Sequence, residues 1–130
     1  MRLSSLLTAL ALAGACTAAA ALDCANAITT LDMNACAAED VKAADARLNA
    51  VYQRIMKGLS QPNEPGANHA AMKATLLDAQ RLWVRFREAD CKAIYTRDEA
   101  GSIRNLSSLG CMKAHAEQRI KELESYDKKH

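Results

Sequence analysis

The chain is poor in the residues that many folds and functions depend on. Among 130 residues there are one tryptophan, one phenylalanine, three tyrosines, five glycines and two prolines. β-Branched residues are few and nowhere alternate with polar ones over a strand's length, which excludes a β-sandwich or barrel. No glycine-rich loop precedes a helix, so a phosphate-cradling nucleotide site is absent. Neither a strong basic excess nor aromatics placed for base stacking is present, which argues against nucleic acid as a partner. No C-x-x-C motif occurs, and no serine or aspartate lies in a recognisable nucleophile motif. His69, His115 and His130 are scattered, so no histidine-based metal or catalytic cluster is expected and no cofactor is implied.

What is present begins with an export signal. Arg2 is followed by the short apolar stretch Leu3 to Ala13, too short to span a bilayer as a stable helix, and then by Ala18-Ala19-Ala20-Ala21. This layout predicts a signal peptide over residues 1–21 and a single domain over 22–130. The stretch Leu12-Ala13-Gly14-Ala15-Cys16 is similar to a lipobox, with its leucine one place too far from the cysteine. Cys16 is therefore either removed with the signal or lipidated. The first outcome gives a periplasmic or secreted protein, the second one anchored in the envelope. No later apolar run approaches membrane-spanning length. Of the 17 Lys and Arg, loss of Arg2 leaves a mature chain close to neutral against 15 acids.

Three helices account for the remainder. Val41, Ala44, Leu48, Val51, Tyr52, Ile55 and Leu59 recur at steps of three and four, with polar residues between them. That helix is expected to begin near Thr29 to Asp32, where a threonine can cap it, and to stop at Gly58 and the Pro/Gly-rich stretch 60–66. A second run opens around Asn68 and places Met72, Leu76, Ala79, Trp83, Phe86, Ala89, Ala93 and Ile94 on one side. A third carries Leu106, Leu109, Met112, Ala116, Ile120 and Leu123. The expected fold is all-α, a small antiparallel three-helix bundle.

Cys24, Cys36, Cys91 and Cys111 form an even set in a chain bound for an oxidising compartment. Eleven, fifty-four and nineteen residues separate them, spacings unlike the close pairs of structural zinc sites. Cys24 and Cys36 bracket the turn into the first helix. Cys91, late in the second helix, would face Cys111, early in the third, across an antiparallel hairpin. Two staples, Cys24–Cys36 and Cys91–Cys111, are therefore expected, each worth about 3 kcal/mol by loop entropy. Trp83 and Phe86, three apart, are expected to anchor the core together. Arg87 lies one turn beyond Trp83 and is expected to meet an acid or a helix end. Arg81, Arg85 and Lys92 form a basic stripe on the opposite side, read as a solvated face.

The pieces Asp23-Cys24, Thr29-Thr30, Met33-Asn34-Ala35-Cys36-Ala37, Ala44-Asp45, Leu48-Asn49, Tyr52, Gln80-Arg81, Trp83, Phe86-Arg87, Cys91, Cys111, Arg119 and Leu123, taken in order, resemble the family of the bacterial lysozyme inhibitor LprI. The resemblance spans the mature chain and singles out Thr30, Met33, Asn34, Trp83, Phe86, Arg87 and Arg119. It departs from the family pattern at His115-Ala116, where relatives usually carry Leu-Thr, and at Glu88, where an aspartate is usual. It implies an exported helical domain with paired cysteines that binds and inhibits lysozyme rather than acting as an enzyme. A non-catalytic envelope interaction module with another target, and an unrecognised hydrolase, are the alternatives. The stretch 60–68, the turn 98–108 and the basic stripe are the candidate contact surfaces, and the sequence does not rank them.

Overall fold

The computed structural model describes residues 22–63 and 65–127. The expected signal peptide, and Cys16 with its lipobox, lie outside these residues. A short 3₁₀ turn, Cys24–Asn26, leads into three helices: α1, Thr30–Gly58; α2, His69–Arg97; and α3, Arg104–Asp127. The described residues contain no strand.

Each boundary has a local chemical cause. Thr29 closes the start of α1: its Oγ1 accepts from the Asp32 amide at 3.1 Å and donates to Asp32 Oδ2 at 2.6 Å. Asn68 does the same for α2, its Oδ1 accepting from the Ala71 amide at 3.1 Å. The chain leaves α1 with Leu59 N donating to Ile55 O, and the loop that follows turns at Gly66, whose φ of 84° suits a residue without Cβ. Arg104 fastens the second connection, donating to the Tyr95 hydroxyl at 3.1 Å and to the carbonyls of Glu99 and Gly101.

The cross-helix contacts establish the direction of each helix. Cys91 with Cys111, Asp90 with His115 and Gln80 with Arg119 pair falling α2 numbers with rising α3 numbers, so α2 and α3 are antiparallel. Asp40 with Lys113 and Arg47 with Glu117 rise together, so α1 and α3 run parallel. The order is up, down, up. Helix α3 packs most extensively on α1 and then on α2, whereas the backbones of α1 and α2 scarcely approach each other. Ala44 and Ala116, both fully buried, lie at matching heights between the two α1–α3 ion pairs, where small side chains permit close approach.

The core is made of Leu48, Val51, Ile55 and Leu59 from α1 and its end, Leu76 from α2 and Leu123 from α3, with Tyr52, Met56, Met72, Trp83 and Ile120 packed around it. Both expected disulfides are formed, Cys24–Cys36 and Cys91–Cys111, each with Cα atoms 5.6 Å apart.

One expectation fails. Phe86 is 56% exposed and does not join Trp83 in the core. The inward line of α2 runs through Leu76, Trp83, Arg87 and Cys91. At about 100° per residue, Phe86 stands roughly a quarter-turn to one side of that line. A spacing of three put both rings on one broad face but not both on its centre.

Candidate functional site

Three of the residues that carry the family resemblance, Trp83, Arg87 and Arg119, meet in the middle of the bundle. Trp83 and Arg87 are one turn apart on α2, and the Arg87 guanidinium carbon lies 5.4 Å from the indole ring centre. Arg119 of α3 approaches the same ring at 6.0 Å, so one indole serves two cations. Arg87 donates to Asp45 Oδ1 at 2.6 Å and Oδ2 at 3.1 Å, a bidentate pair bridging α2 to α1. Arg119 donates to Gln80 Oε1 at 3.1 Å and to Glu122 Oε2 at 3.0 Å. These are the two buried charged residues of the described chain.

Asp45, which the hydrophobic pattern alone leaves on the wet face, together with Gln80 and Glu122, thus makes burial of two arginines tolerable. The pairing is incomplete. Arg87 Nε, Arg119 Nη2 and the Tyr52 hydroxyl are buried without a protein partner. Asp45 engages both terminal nitrogens of Arg87, and Gln80 and Glu122 engage Arg119, so both cations are committed to partners within the bundle. The cluster's chemistry is that of a connector: it fills the space between α1 and α2 that their backbones leave open.

Beside the second disulfide is a smaller polar group. His115 Nε2 is 2.8 Å from Asp90 Oδ2, and the exposed Phe86 ring meets the imidazole edge-on at 5.3 Å between centres. His115 is one of the positions where the sequence departs from the family pattern, and here it holds α3 to α2. Asp90, Cys91, Cys111 and His115 bring potential metal-ligand atoms within 4.8 Å of one another. With both sulfurs joined in a disulfide, neither can serve as a thiolate ligand, and the imidazole and carboxylate satisfy each other.

The remaining motif residues, Thr30, Met33 and Asn34, lie at the far end of α1, within the loop closed by Cys24–Cys36. All three are half-buried, and Asn34 Oδ1 is buried without a partner. Two large apolar side chains stand out at this end among polar neighbours: Ile28 is 87% exposed and Leu31 is 78% exposed. Asp23 Oδ1 accepts from the Ala25 amide and Oδ2 from the Asn26 amide group, and the Asn26 hydrogen bond foremost holds the Asp23 carboxyl below its ordinary value. Ile28 and Leu31 fall outside the α1 apolar stripe, and that isolation is the signal for this surface in the sequence.

Of the candidate contact surfaces, the stretch 60–68 is tied back at two points, Ser60 accepting from Lys73 and Asn63 Oδ1 accepting from the His69 amide. In the basic stripe Arg81, Arg85 and Lys92 are all exposed, with Arg81 reaching Asp78 at 3.5 Å. No helix among the described residues is long and apolar enough to cross a membrane.

An uncharacterized protein of Rhizobium meliloti (strain 1021) is 30% identical over 105 residues, covering 78% of this chain and 76% of the relative. No solved structure matches the chain. The sequence profile of the family described as lysozyme inhibitor LprI matches residues 21–123, a span that takes in both disulfides, the arginine–tryptophan cluster, α1, α2 and most of α3, and the chain belongs to that family.

Proposed function

We propose that this protein is exported to the cell envelope and acts there by binding, inhibiting lysozyme without catalysing a reaction of its own. The observation that carries the reading is family membership over residues 21–123. The architecture supports it. Two disulfides and a buried connector hold a small bundle rigid, which limits the ordering cost of binding. Export is favoured by the signal-like residues 1–21 and by the disulfides themselves, which persist in oxidising compartments. The product is a periplasmic or secreted protein, or an envelope-anchored one if Cys16 is lipidated.

Inhibition requires a surface that occludes the cleft in which two carboxyl groups act on the glycosidic bond. The test is a lytic assay with the oxidised protein against several lysozyme types. Dose-dependent loss of lysis is expected. Undiminished lysis at a large molar excess against every type would refute the reading and leave an envelope interaction module with another target. Cleavage of wall glycan by the protein alone would instead reveal a hydrolase.

A further inference from the structure

We infer that the disulfide-closed turn at the start of α1, with Ile28 and Leu31 at its tip, is the surface that docks into the cleft of a basic, glycan-cleaving partner; this rests on the inhibitor reading above. Ile28 immediately precedes the cap residue Thr29. An apolar side chain there commonly folds back onto the helix, in this case toward Met33. Ile28 is instead 87% exposed, and Leu31, three residues on, is 78% exposed. No other large apolar side chains of the described chain are as exposed. The Cys24–Cys36 bond and the Thr29–Asp32 cap fix the backbone beneath them, so the pair is presented on a rigid mount.

Charge selects the partner. Residues 22–41 contain Asp23, Asp32, Glu39 and Asp40 and no lysine or arginine. Glu39 is matched by Lys42 and Asp40 by Lys113. Asp23 and Asp32 are held by neutral donors, Asn26 and the Ala25 amide for one and Thr29 for the other, so neither of these contacts sets a cation against the carboxylates flanking the tip. A lysozyme works on a polyanionic wall, and a basic surface brings it there. An apolar tip can enter a cleft whose own carboxyl groups would repel an anion, while Asp23 and Asp32 meet the basic rim. The rival apolar patch, Leu82 and Phe86 on α2, is interleaved with Arg81 and Arg85 and would repel the same partner.

The experiment measures binding of the oxidised protein to an immobilised animal-type lysozyme at several salt concentrations. Ile28→Ser/Leu31→Ser should weaken binding by about tenfold or more, since a few desolvated residues at the centre of an interface carry most of its binding energy, with Tm unchanged because both side chains are exposed. Asp23→Asn should slow association and flatten the salt dependence. Leu82→Ser, at a comparably exposed apolar site, should bind as wild type does. If the double variant binds normally, or Leu82→Ser loses affinity instead, the docking surface is wrong and the inhibitor reading survives. If the wild-type protein itself fails to bind, the inhibitor reading and this inference fall together.

Discussion

Replacing Asp45 by alanine should destabilise the protein more than replacing Arg87 by methionine, although Arg87 is the deeper of the two. The Arg87 side chain is 7% exposed and that of Asp45 39% exposed. Removing Asp45 leaves a guanidinium in a dry site, with Nε already lacking a partner and the Trp83 ring as its remaining support. Stranding one member of a buried pair costs 3–5 kcal/mol, and the partial exposure of Asp45 argues for the lower end, about 3 kcal/mol. Methionine at 87 fills much of the same volume with apolar atoms, and the orphaned carboxylate can turn to water. Its cost should be about 1 kcal/mol. For a domain of this size these losses translate to a Tm lowered by roughly 12–24 °C and by roughly 4–8 °C respectively. Far-UV circular dichroism melts of the oxidised proteins at neutral pH would measure both. The variant Asp45→Ala/Arg87→Met should melt close to Arg87→Met alone, because the second change has no charge left to strand. Should Arg87→Met prove the worse single change, or the two losses simply add, the pair is not the connector described above.

Trp83→Ala should cost about 3 kcal/mol, the low end for a large aromatic because the ring is half-buried, with the loss of its two arginine contacts included. The wild-type emission of this single tryptophan should be that of a shielded indole, and a red-shifted, readily quenched spectrum would contradict its placement. Cys91→Ser/Cys111→Ser should lower stability by about 3 kcal/mol, and non-reducing peptide maps of the wild type should recover Cys24 with Cys36 and Cys91 with Cys111; a Cys24–Cys111 peptide would overturn the topology. The third concerns acid. Hydrogen bonds from Arg97 foremost, then Ser107, hold the Asp98 carboxyl at about 2 against an ordinary 3.8. A carboxyl lowered by folding favours the folded state above the ordinary value, and that contribution is lost as pH falls toward 2. Asp98→Asn should therefore flatten part of the decline in Tm between about pH 4 and 2, and melting profiles that stay parallel would show that Asp98 is not coupled to folding.

Helix ends and cysteine pairs were legible in the sequence because each rests on a local rule. Thr29, Asn68 and Gly58 act within a turn of where they stand, and consecutive cysteines at the ends of predicted helices leave one pairing that an up-and-down chain closes easily. Phe86 was misplaced because periodicity defines a face about a third of the helix wide, whereas the occupant of its centre depends on what two other helices bring. Arg87 is the instructive case. Its sequence neighbourhood describes a charged residue next to aromatics, and only Asp45, 42 residues away on another helix, makes its burial tolerable. The apolar tip at Ile28 and Leu31 was overlooked for the opposite reason. Pattern reading seeks apolar residues that repeat, and a docking surface is made of ones that do not.

The neighbour-to-neighbour order of the two disulfides also bears on how the chain is made. In a protein threaded N-terminus first into an oxidising space, Cys24 and Cys36 arrive before Cys91 exists as a competitor, and Cys91 finds Cys36 already engaged. If the proposed export holds, each thiol would meet its native partner as the next one available, and vectorial delivery would favour the native pairs. The parallel docking of α1 against α3 spans most of the chain and must wait for α3. The last event of assembly then closes a non-covalent seam between two segments whose covalent links are already complete.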